Sequence, residues 1–130
     1  MTVWESDSAD VRKGNNRGKS NCHTLFGRGL VIASLNINGL LTHIDELRVF
    51  MSFSNVDILQ INESKLDSTV HNDEVYIRGF EIVRKDRKVN GRHGGGVCTY
   101  LRTNLNYRIR NDLRWPNTVF KSLCLILHNF

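Results

Sequence analysis

The chain is predicted to be an α/β protein of the sandwich type, opening with a βαβ unit and continuing with antiparallel strands. Three observations predict this. A short apolar, β-branched run, "LVIASLNI" (30–37), precedes a helical stripe, and a second such run, "VDILQIN" (56–62), follows it. The joins are short, so the two strands should be parallel, close to each other and linked right-handedly. Beyond residue 79, strand-like runs recur at short intervals with turn signals between them, which is the pattern of hairpins.

Taken in order, residues 1–29 are rich in Ser, Asn, Gly and charge and show no sustained periodicity. They are expected to form a disordered polar tail, leaving 30–130 as the folded unit. Asn38-Gly39 ends the first strand as a turn. Thr42 and Asp45 make a T-x-x-D pattern, read as a helix N-cap. From His43 to about Phe53 the apolar positions Ile44, Leu47, Phe50 and Met51 recur at helical spacing. "FEIVRKD" (80–86) is a strand and "RKVNGRHGG" (87–95) a loop. "GVCTYLR" (96–102), "LNYRIRN" (105–111) and "TVFKSLCLILHN" (118–129) are further strands, with turns at Asn104 and Trp115-Pro116-Asn117.

Composition narrows the class. At 130 residues the chain holds one domain or less. It has no apolar run long enough to span a membrane and no signal-type apolar core near its start, so an intracellular location is expected, with the nucleus included. Cys22, Cys98 and Cys124 form no CxxC pair and no zinc spacing, which suits reduced thiols, two of them in apolar stretches. The net charge of +5 is uneven: residues 30–76 carry two basic and seven acidic side chains, and residues 77–114 carry ten basic and three acidic ones. A cation-plus-phosphate site fits such a split, and so do two unrelated solvated surfaces.

The residue that poses the chemical question is Glu63. It follows directly on an apolar strand, between Asn62 and Ser64-Lys65. Magnesium takes one or two carboxylates and keeps several waters, so a Glu on a strand end suits it; a loop Glu paired with Lys65 is the alternative. If the two strands are parallel, their ends lie on one sheet edge and bring Asn36, Asn38 and Glu63 together, where α/β sheets tend to bind ligands. Asn36 within an apolar strand implies a specific partner, whereas Asn38 is also explained by the Asn-Gly turn. "RKDRK" (84–88) places four cations in five residues beside "GRHGGG" (91–96). Its Arg84, Arg87 and Lys88, with Arg92, could contact backbone phosphates; a solvated loop is the alternative.

Three segments in order, "SLNINGL" (34–40), "ILQINESKL" (58–66) and "VRKDRKVNGRHGGGVCTYLR" (83–102), resemble the endonuclease/exonuclease/phosphatase superfamily with its deoxyribonuclease-I-like fold. Within it the likeness is to the endonuclease domains of non-LTR retrotransposons, and "FKSLCLILHN" (120–129) resembles their next strand. The resemblance covers 30–130 and implies the first half of a four-layered β-sandwich flanked by helices. It implies a magnesium- or manganese-dependent phosphodiester hydrolase acting on DNA. Glu63 would be the metal carboxylate, Asn36 would line the catalytic site, and Asn38 would stand near the metal where some members carry an acid.

The family completes its site with a Tyr near a Tyr-Arg-Pro segment, a Gly-Asp-x-Asn segment and an Asp-His pair, none of which occurs in these 130 residues. The expectation is a truncated domain, inactive alone, whose sheet needs a missing C-terminal half or another chain to cover it. The alternatives are a non-catalytic remnant or nucleic-acid-binding fragment and, within the superfamily, a lipid or inositol phosphatase.

Overall fold

The computed structural model describes residues 2–5, 29–87, 94–110, 112 and 125–128. Strand β2 (Val31–Asn36) leads into helix α1 (Leu40–Phe53) and then strand β3 (Ile58–Asn62). The two strands of this βαβ unit pair in parallel with Asn36 opposite Asn62, as the sequence predicts. After a 3-10 turn at Asn72–Val75, strands β4 (Phe80–Lys85) and β5 (Val97–Arg102) form an antiparallel pair, and β5 lies antiparallel to β3. With β1 (Thr2–Glu5) antiparallel to β2, the sheet order is β1-β2-β3-β5-β4. Strands β6 (Asn106–Ile109) and β7 (Leu125–His128) pair antiparallel as a separate sheet.

Three expectations need correction. The polar tail is not structureless throughout, because Thr2–Glu5 pair with β2; extended backbone at a sheet edge gains main-chain hydrogen bonds whatever its polarity. The remainder of that tail, 6–28, lies outside the described residues, as do Cys22 and Cys124. The helix begins at Leu40, with Gly39 as N-cap and no side-chain cap, so Thr42 and Asp45 lie inside it. Its buried face is Leu40, Ile44, Leu47 and Met51, while Phe50 is exposed.

That face explains the layer arrangement. Alternation along β3 puts Leu59 and Ile61 on the helix side, with Ala33, Cys98 and Tyr100 from the neighbouring strands. Leu66, Val75, Ile77 and Phe80 close the same core. Burying each large apolar side chain there contributes about 1.5–3 kcal/mol, which outweighs weak helix capping. Arg48 ties the helix to the 3-10 turn, donating to the carbonyls of Tyr76 (2.9 Å) and Glu74 (3.2 Å). The Tyr100 hydroxyl, within the core, donates to the Val75 carbonyl at 2.6 Å.

Cys98 is fully buried in this core and free, as its apolar setting predicts. Burial pushes its thiol up to about 12, with Arg84 opposing the shift and Asp86 adding to it. The fold thus favours the neutral thiol. That contribution is complete below the ordinary value of 9.0 and is lost as pH rises through about 12. At pH 8 the native thiolate population falls roughly a thousandfold below that of an unfolded cysteine. Peptide mapping after alkylation at pH 8 should find Cys98 unmodified in the native chain and modified in urea; rapid native labelling would contradict the buried placement.

At the other end of the sheet from the β2–α1 turn, Asp57 joins three strands. Its carboxylate accepts from the Val31 amide at 2.9 Å and from Arg102 Nε at 3.0 Å. Its main chain bonds Val31 and Arg102 as well, and the Arg102 guanidinium lies 4.9 Å from the Phe80 ring centroid. A buried carboxylate is tolerated here because the start of β2 and the end of β5 each supply it a donor.

Candidate functional site

The parallel pairing of β2 and β3 brings the "NING" turn and the "NESK" loop to one edge. The register extends past the strands: the Ile37 amide donates to the Asn62 carbonyl (3.2 Å), Gly39 to Glu63 (2.8 Å) and Leu40 to Ser64 (2.9 Å). These last two bonds occupy the N-terminus of α1. They explain why it needs no side-chain cap: the loop's carbonyls take amides that a helix start leaves unsatisfied. On its other side the loop is held by the glycine segment, with Ser64 N–H donating to Gly96 (3.1 Å) and Lys65 N–H to Gly95 (2.9 Å). Glu63 is therefore clamped between a helix start and a strand start.

The clamp imposes an uncommon backbone. Asn38 (φ 51°), Glu63 (φ 54°) and Lys65 (φ 55°) are the positive-φ residues other than glycine among those described, and all three belong to this edge. Left-handed backbone costs an L-residue on the order of 1–3 kcal/mol and tends to collect at functional sites. Here the four backbone bonds to Gly39, Leu40, Gly95 and Gly96 offset it.

The Glu63 carboxylate is oriented by the main chain. Its Oε2 accepts from the Gly95 amide at 2.7 Å, and a Cβ on Gly94 would come within 3.1 Å of the same oxygen. Oε1 is not part of that bond. Beneath it, Ser64 is 1% exposed, and its hydroxyl has no hydrogen-bond partner among the described residues. Gly96 packs directly on this hydroxyl: a Cβ there would lie 2.6 Å from Ser64 Oγ, and φ is +86°. Only glycine meets both conditions. The Lys65 stem runs over Gly39, 3.8 Å from where its Cβ would be.

Asn36 and Asn62 stand opposite each other across the parallel ladder and so share the sheet face away from α1. Asn62 Nδ2 donates to Ser34 Oγ at 3.3 Å on that face. Asn36 is exposed, not buried. The burial cost expected for an Asn in this strand therefore does not arise, because the strand's last residue faces outward. Asn38 is also exposed and lies beyond the strand in left-handed backbone, so strand alternation does not set its direction relative to Asn36.

The cationic residues divide. Arg84 is a structural clamp, with its guanidinium donors engaged within the chain. Its Nε and Nη2 hold Asp86 (2.8 and 2.6 Å), Nη1 donates to the Val70 carbonyl (2.8 Å) and Asn72 Oδ1 (3.0 Å), and Nη2 also donates to the Asp67 carbonyl (2.9 Å). Five bonds use all five donors of a guanidinium. The Asp86 hydrogen bonds raise its pKa further, against the effect of burial. Arg87 lies at the glycine segment, with its amide donating to the Leu66 carbonyl (3.2 Å) and its Nη2 3.9 Å from Asp67 Oδ2. Lys88 and Arg92 fall outside the described residues.

Among the described residues no three His, Cys, Asp or Glu gather as a metal site. The donor set at this edge fits a hard, mostly hydrated divalent ion bound through one oriented carboxylate, with amide oxygens nearby. It does not fit a dehydrated, multi-carboxylate centre. No helix among the described residues is long and apolar enough to cross a membrane.

No protein-family model matches the chain, and no curated protein matches it. Among solved structures it is similar to the AP endonuclease LMAP from Leishmania major, at 20% identity and a TM-score of 0.49. The match covers 70% of this chain and 30% of that one, so this chain spans under a third of that protein's length. At that score the likeness carries no weight for function.

Proposed function

We propose that this chain carries the first metal carboxylate of a deoxyribonuclease-I-like phosphodiesterase site of the DNA-nicking, retrotransposon type. The observation that carries the proposal is Glu63 in left-handed backbone at the end of β3, its Oε2 held by the Gly95 amide, on the sheet edge that β2 also reaches with Asn36. The order of the "SLNINGL", "ILQINESKL" and glycine-loop segments supports the same reading. Glu63 would hold magnesium or manganese, with Asn38 beside it, and Asn36 would orient a phosphate oxygen or a bound water. The ion would neutralise charge on the phosphodiester and polarise it. Arg87, Lys88 and Arg92 would take the DNA backbone beside the glycine loop.

The chain alone holds no general base of the kind the family supplies from its Gly-Asp-x-Asn and Asp-His segments, since those segments are not in these 130 residues. General acid–base catalysis and electrostatic stabilisation are each worth about 100-fold or more in rate. Supercoiled plasmid incubated with the chain and magnesium should therefore be nicked no faster than in EDTA, and Glu63→Ala should change nothing. Magnesium-dependent nicking that disappears in Glu63→Ala would show that the chain is a complete enzyme and refute this part of the proposal.

A further inference from the structure

The feature left unexplained at this edge is the Ser64 hydroxyl. It is 1% exposed and without a hydrogen-bond partner among the described residues. Leaving such a group buried and unsatisfied costs about 1–3 kcal/mol, and an alanine would avoid that cost. An unsatisfied buried group calls for a reason, and its neighbours suggest one. Ser64 sits between Glu63 and Lys65, both in left-handed backbone. Its Oγ supports Gly96 so closely that no Cβ fits between them. Gly96 is covalently joined to Gly95, and the Gly95 amide is the donor that fixes Glu63 Oε2.

We propose that the Ser64 hydroxyl is a positioning group for Glu63, acting through Gly96 to set the height of the Gly95 amide over the carboxylate. The proposal rests on Glu63 being a metal ligand, and extends that reading to the groups that aim it. The two backbone bonds from Ser64 and Lys65 to Gly96 and Gly95 fix the lateral position of the glycine segment. The hydroxyl sets its separation from the loop. Removing the oxygen lets the segment sink toward Ser64 and draws the amide off Glu63 Oε2. Groups that orient a metal ligand from behind typically change metal affinity by about 10- to 100-fold when lost.

The test is manganese binding to the full chain, with thermal unfolding measured on the same samples. Ser64→Ala should melt at the same temperature as the parent or higher, because the orphan is gone, yet bind Mn2+ about tenfold more weakly. Ser64→Thr, which keeps the hydroxyl, should stay within about twofold of the parent affinity. A purely packing role for Ser64 would leave Mn2+ affinity unchanged in Ser64→Ala, or lower stability and affinity together, and either result overturns the proposal. Equal weakening in Ser64→Thr also overturns it, and serves as the deciding variant should Ser64→Ala not fold. Glu63→Gln separates the two claims. If the parent binds no Mn2+, or Glu63→Gln binds as the parent does, the metal reading itself fails; if Glu63→Gln abolishes binding and Ser64→Ala does not alter it, only the positioning role fails.

Discussion

Replacing Asp57 by Ala should lower the unfolding free energy by about 3 kcal/mol, the typical effect of breaking a buried, hydrogen-bonded ion pair by removing one partner. The carboxylate is 11% exposed, and it joins the start of β2 through the Val31 amide to the end of β5 through Arg102. Its loss leaves the Val31 amide and the Arg102 guanidinium short of an acceptor in a part-buried setting. Arg102→Ala should cost less, because that side chain is 30% exposed and water can replace part of its contact. Urea melts of the two single variants and the double variant form a cycle. A coupling energy near zero would mean that the pair behaves as a surface ion pair. Asp57 lies at the opposite end of β3 from Glu63, so Mn2+ affinity of the folded Asp57→Ala chain should match the parent.

The second large effect concerns Arg84. Arg84→Met should destabilise the fold by about 3 kcal/mol while leaving the salt dependence of DNA binding as it is in the parent. The reason is the five bonds to Asp86, Val70, Asn72 and Asp67, which fasten β4 to the segment after the "NESK" loop. Arg84→Lys should be nearly as damaging, because an ammonium cannot reproduce the planar fork. Arg87→Ala makes the opposite pattern: a smaller loss of stability, and a plot of log affinity against log salt that is shallower by about one unit. If Arg84→Met flattened that plot and Arg87→Ala did not, the roles of the two arginines would be reversed.

The contrast between these two arginines shows what one-dimensional reading can reach. The four cations of "RKDRK" are equivalent as a charge run. Which of them is spent inside the protein depends on Asp67, Val70 and Asn72, whose approach to β4 has no local signature. The strand edge that gathers Asn36 and Glu63 was legible, because a parallel βαβ unit has a fixed hand and a fixed edge. The helix start was not. Thr42 and Asp45 have the composition of a cap, but the carbonyls of Glu63 and Ser64 occupy the first amides from 24 residues away. Ser64 has no sequence signal for the same reason: its burial, with no hydrogen-bond partner among the described residues, comes with Gly96 lying on it. β1 is a short Thr-Val-Trp-Glu run at the head of a polar segment, and four residues without sustained alternation are too few to read as a strand until β2 pairs with them.

Everything functional depends on Glu63 and Asn36 serving one divalent-ion pocket. Paramagnetic broadening of the amide NMR spectrum by substoichiometric Mn2+ reads this directly. The expected result is early loss of the Asn36, Asn62, Glu63 and Gly95 signals, with Asp57 and Leu101 little affected, and recovery of the full spectrum in Glu63→Gln. Broadening centred elsewhere, such as on Asp73 and Glu74, or broadening that persists undiminished in Glu63→Gln, would contradict it.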